Sequence, residues 1–168
     1  MQDRLSRTSI NKKQVIIGFI ALLIASGVYL IDRPPDQTYF ISQSPLSITL
    51  YDSIPNLFGT IGYSLPAFLH VFSFILITAG LIFCNKRSYL IICVFWFFVD
   101  SAFELGQKFN DVTPQIVPDW FAGIPFLENT RNYFLQGTFD VIDLAAIAFG
   151  SLIAYFVISV TRERSAIA

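Results

Sequence analysis

Five ionisable side chains interrupt the most apolar stretches of this 168-residue chain: His70, Asp100, Glu104, Asp140 and Asp143. Their spacing groups them. Asp100 and Glu104 stand four residues apart and Gln107 three further on, so all three share one face of a helix. Asp140 and Asp143 are three apart and lie above Ala146, Gly150 and Ala154, a stripe of small residues that lets a neighbouring helix come close. Carboxylates with one imidazole fit several chemistries. His70, Asp100, Glu104 and Asp143 are the candidate ligands of a divalent cation. His70, Glu104 and Asp143 are the candidate groups for acid–base work. The whole set, with Gln107 and Arg131, fits a pocket for a polar headgroup, where Arg131 or Lys108 would meet a phosphate. No GxSxG, HExxH or glycine-rich phosphate loop is present, and Ser64, Ser73 and Ser101 follow no nucleophile pattern.

The elements that carry these residues are membrane helices. The chain is 54% hydrophobic and 14% charged, well below the roughly one-quarter charged fraction of a soluble domain. Apolar runs cover 15–31, 61–83, 89–107 and 138–160, each near the roughly 20 residues that cross a bilayer as helix. The expected fold is an all-α, four-helix membrane bundle in a single domain. Eight of the 11 Lys/Arg residues flank the chain ends and the short turn at 85–88. By the positive-inside rule both termini are cytoplasmic, and the connections 32–60 and 108–137 face outward. The first span reads as a retained anchor, since its apolar run is long for a signal peptide and no A-x-A site follows it. Alternation at Tyr39, Ile41, Ile48 and Leu50 predicts a short surface hairpin, and 127–136 predicts a short interfacial helix. Cys84 and Cys93 read as small apolar fillers. No nucleic-acid partner is expected; the bilayer, an envelope or lipid-linked ligand, and a protein partner are the candidate contacts.

Depth brings the polar residues together. With about 1.5 Å of rise per residue and a second helix starting near Ser64 and Pro66, His70 falls roughly 6–9 Å below its outer end. Glu104 falls about 6 Å and Asp100 about 12 Å below the outer end of the third helix, and Asp140 and Asp143 open the fourth. The expectation is one outer-leaflet layer shared by three helices. A charge in hydrocarbon is costly, so such residues usually face a bundle interior. Each also has a plain structural explanation. Asp140 and Asp143 suit a helix N-terminus, Glu104 can pair with Lys108, and His70 and Asp100 can be hydrogen-bonded interior groups.

Three stretches resemble the VanZ-like membrane protein family: Leu65-Pro66-Ala67-Phe68-Leu69-His70, Asp100-Ser101-Ala102-Phe103-Glu104-Leu105-Gly106-Gln107 and Gly137-Thr138-Phe139-Asp140-Val141-Ile142-Asp143-Leu144. The resemblance spans about 65–155. Members show a His near the start of one span, Glu-x-x-Gln at the outer end of the next, and an Arg followed by an Asp that opens the last. His70, Glu104, Gln107 and Asp143 match that order, and Asp140 and Arg131 match it more loosely. Ala146 and Ile147 stand where members often carry Asn. The resemblance implies a bacterial cytoplasmic (inner) membrane protein facing the cell envelope; the family's namesake is associated with low-level antibiotic resistance, to teicoplanin. Four functions stay open: a ligand pocket, with or without a divalent cation; a small membrane hydrolase or transferase; a proton or ion pathway, disfavoured by apolar inner halves such as Leu90-Ile91-Ile92; and an accessory subunit of a membrane complex.

Overall fold

The structure, a computed structural model, describes residues 10–34, 49–51, 53, 57–82, 86–124 and 127–161. Among the described residues, four helices are long and apolar enough to cross a membrane: α1 (Lys12–Asp32), α2 (Ile61–Leu81), α3 (Lys86–Lys108) and α6 (Val141–Thr161). Two short helices, α4 (Thr113–Ile116) and α5 (Thr130–Gln136), lie in the connection between α3 and α6. The chain is a four-helix membrane bundle, with no strand among the described residues. A short helix is present within the predicted stretch 127–136, as α5. The hairpin around Tyr39, Ile41 and Ile48 falls outside the described residues, and so does Cys84.

Helix limits depart from the expected ones in three places. Lys86, Arg87 and Ser88, expected in a turn, form the first turn of α3. Neither Gly nor Pro interrupts 86–105, so nothing stops the helix from running to the chain reversal. Helix α2 starts at Ile61, which leaves the buried Pro66 inside the helix instead of in its first turn. Helix α6 starts at Val141 because Asp140 caps it: the Asp140 carboxylate accepts from the Ile142 N–H at 2.8 Å.

Alternate helices run in opposite directions, so one end of the bundle gathers Arg33, Lys108 and Asp140 and the other gathers Asn11, Gly80 and Thr161. We refer to these as the acidic and the basic end. Helix α2 is central, packed along its length against α1 and α6, while α3 lies against α6 and more lightly against α2. Close approach depends on glycine. A Cβ on Gly150 would come within 2.7 Å of the Phe68 carbonyl oxygen, and one on Gly80 within 3.0 Å of the Asn11 carbonyl oxygen. In lipid, where apolar burial does not favour one helix neighbour over an acyl chain, such contact is a main source of association. Val71, Ile75, Leu76, Ile147, Ala154 and Ile158 form the core, joined by Tyr89 and Cys93. Phe149, Leu152 and Phe156 point away from it and are more than half exposed, as a lipid-facing surface requires.

The basic end is tied by amides. Asn11 donates its backbone N–H to the Gly80 carbonyl at 2.8 Å and its side chain to the Thr161 carbonyl at 3.0 Å. Gln14, fully buried, reaches the Thr161 hydroxyl at 3.1 Å. These bonds join α1, α2 and α6 at the end opposite the acids.

Candidate functional site

Helix α3 supplies four polar side chains to the interior, Asp100, Ser101, Glu104 and Gln107. Asp100, Glu104 and Gln107 are each 7–9% exposed, as their shared face predicts. Glu104 accepts from the Asp140 backbone N–H at 2.7 Å. Gln107 donates from Nε2 to the Tyr133 hydroxyl at 2.6 Å, so α5 is seated on α3. Phe134 of α5 completes that seat against Gly106, where any side chain would collide with its ring. Burial pushes the Tyr133 phenol well above its usual range, with the neighbouring Tyr29 and Glu104 acting in the same direction. Its hydroxyl therefore stays a neutral partner for Gln107.

Asp143 sits in the first turn of α6. Ser64 of α2 stands beside its carboxylate. Its Oδ1 is buried with no hydrogen-bond partner. Asp140 stays at the helix end, as foreseen, but as the cap of α6 and not as an acid within it, while its own N–H links that cap to Glu104.

The structure adds residues from α1 that sequence reasoning did not connect to the site. Arg33, at the end of α1, acts electrostatically on both Glu104 and Asp143. Its guanidinium lies 4.8 Å from the centre of the Tyr29 ring and donates from Nη2 to the Tyr63 carbonyl. Its Nε is buried without a partner. Asp32, 6% exposed, accepts from the backbone N–H groups of Leu57 and Phe58 at 2.9 and 2.8 Å. That carboxylate pins the chain entering α2 to the end of α1, next to Arg33. The only sequence signal was an Asp-Arg pair closing an apolar span ahead of two prolines.

His70 and Asp100 form a separate pair, with Nδ1 and Oδ2 at 3.2 Å. The expected single layer is in fact two tiers. Because α2 begins at Ile61, His70 lies about 13 Å along it from the acidic end, and Asp100 about 12 Å along α3. Glu104 lies about 6 Å in, and Asp143 about 3 Å. Asp100 is buried, while His70 is 50% exposed, its ring centre 4.4 Å from that of Phe74.

The remaining candidates go elsewhere. Arg131 pairs with Asp119 at 2.6 Å and donates to the Val117 carbonyl at 2.9 Å, bracing the connection between α3 and α6. Lys108 does not take up Glu104; its ammonium stands 5.1 Å from the centre of the Phe139 ring. Ser73 bonds the Leu69 carbonyl of its own helix, and Ser101, 8% exposed, leaves its hydroxyl unpartnered. Among the described residues, no three His, Cys, Asp or Glu side chains stand close enough to hold a metal ion. The candidate metal set is divided between the tiers.

The acidic end can therefore bind by charge and hydrogen bonding. It holds acceptors at Glu104 and Asp143, a cation at Arg33, and neutral donors at Ser64 and Tyr133. Comparison with protein-family models, with curated proteins and with solved structures finds no match to this chain.

Proposed function

We propose that this chain is a VanZ-like protein of a bacterial cytoplasmic membrane and that its acidic end opens outward to bind an envelope or lipid ligand. The charge distribution supports the orientation, since most Lys/Arg residues flank the opposite end. The observation that carries the reading is unmet hydrogen bonding. Asp143 Oδ1 and Arg33 Nε are both buried and unpartnered within one cluster. A buried polar group without a partner costs on the order of 1–3 kcal/mol, and a charged one more, so a cluster that keeps two of opposite character is suited to a ligand supplying both partners. The apolar core below the cluster favours a pocket over a conducting path.

The test is extraction of the full chain in mild detergent, followed by mass spectrometry of what copurifies. Wild-type protein is expected to retain a lipid or envelope molecule that Asp143→Ala loses while the helical circular dichroism is kept. Identical copurifying molecules in both proteins would contradict the proposal.

A second reading draws on the His70–Asp100 pair. An acid that fixes an imidazole at Nδ1 leaves Nε2 free to act as a base, the arrangement a small membrane hydrolase would use. Hydrolysis of a lipid-linked ester that is lost in His70→Ala would favour it.

A further inference from the structure

We infer that the ligand of the acidic end is an aminophospholipid, its primary ammonium at Asp143, its phosphate at Arg33, and its acyl chains leaving between α1 and α3. This rests on the reading that the cluster is a ligand site and names the class of molecule it takes.

Charge comes first. Glu104 and Asp143 lie within electrostatic reach of one guanidinium, Arg33. Asp140 is committed to the helix cap and Glu104 Oε1 to the Asp140 N–H. Capping does not neutralise Asp140, so three carboxylates stand against one guanidinium, and a ligand that brings a cation is favoured over a purely anionic headgroup.

Hydrogen bonding narrows the choice. Asp143 Oδ1 needs an N–H or O–H donor, and Arg33 Nε needs an acceptor. A primary ammonium beside a phosphate supplies both. A quaternary ammonium carries the charge but has no N–H to give. Ser101, 8% exposed and one turn deeper than Glu104 on α3, holds a third unpartnered group, a hydroxyl able to meet a glycerol or ester oxygen.

The packing distinguishes a lipid from a soluble zwitterion. Helices α1 and α3 do not pack against each other along their length. The side of α2 between them carries His70. Three and seven residues on, Ser73 and Ile77 meet Gly18 of α1. Four and eight residues on, Phe74 and Thr78 meet Trp96 of α3. His70 lies between these two contact lines and is half exposed, which marks a slot open to the bilayer. The slot lies below the cluster, at the depth where chains and ester groups follow a headgroup seated above.

The experiment uses the purified full chain in mild detergent, offered equal amounts of dioleoyl phosphatidylethanolamine, phosphatidylcholine and phosphatidylglycerol, with bound lipid read by native mass spectrometry. Retention of the ethanolamine lipid is expected to exceed that of the other two by about tenfold. Arg33→Gln and Asp143→Asn should each abolish that preference, and Glu128→Gln, on the exposed outer connection, should not. The wild-type lipid comparison stands even if a variant fails to fold. Equal retention of the choline lipid, reduced by the same variants, would overturn the ammonium assignment and leave the ligand site intact. Preference for the glycerol lipid would overturn it in favour of an anion. Retention of none of the three would remove both this inference and the binding function. Soluble glycerophosphoethanolamine that displaces the full lipid at equal concentration would overturn the lateral lipid route.

Discussion

The backbone N–H of Asp140 donates to the Glu104 carboxylate at 2.7 Å, joining the residue that caps α6 to the last turns of α3. A single acid thus sets the separation of two membrane helices at the end where the polar groups gather. Glu104→Ala leaves that N–H without its partner. The expected loss is about 1–3 kcal/mol in unfolding stability, measured by denaturant titration in detergent. Glu104→Gln keeps an oxygen able to accept and should lose distinctly less.

Asp32 plays the matching part for α1 and α2. Its two carboxylate oxygens are taken by the Leu57 and Phe58 N–H groups. Asp32→Ala should free the chain entering α2 and release Arg33 from the acids. Faster proteolysis within 49–60 is the expected readout, with the helical circular dichroism unchanged.

At Gly150, space is the constraint. A Cβ there meets the Phe68 carbonyl oxygen and Val71 Cγ1, both at 2.7 Å. Gly150→Leu should force α2 and α6 apart and cost about 1–3 kcal/mol. Phe149→Leu, on the neighbouring lipid-facing position, should change the unfolding midpoint little.

Tyr133 gives a pH dependence with a definite sign. Its phenol is raised above the usual 10.0 in the folded chain, mainly by burial. The stability it contributes is complete below the unfolded value and is lost as pH climbs through the folded one. Thermal stability should fall from about pH 10 upward, and Tyr133→Phe should flatten that part of the profile. An identical alkaline decline in the variant would assign the loss to other groups.

Much of this was legible in the sequence, for identifiable reasons. Hydropathy and length give the four spans, and the i, i+4 spacing gives the buried face of Asp100, Glu104 and Gln107. Asp140 reads as an acid at a helix N-terminus, and the structure places it one residue ahead of α6 as its cap. Depth was harder. It depends on where α2 starts, and Pro66 suggested a start several residues late, which merged two tiers into one. Arg33 was hidden for another reason. Nothing local says that the end of α1 comes within electrostatic reach of Glu104 and Asp143, because the restraint that fixes it is a long-range pair of bonds from Asp32 to 57–58. Arg131 illustrates the converse. It lies in the right connection, but Asp119 and the Val117 carbonyl hold it away from the acids.

The most direct test of the central claim is a double-mutant cycle on ligand retention, with Arg33→Gln, Asp143→Ala and their combination compared by native mass spectrometry of the copurifying molecule. If the two residues hold opposite ends of one ligand, each single variant should lower retention and the double should lose little more than the worse single. Full retention in both single variants would contradict a ligand site at the acidic end.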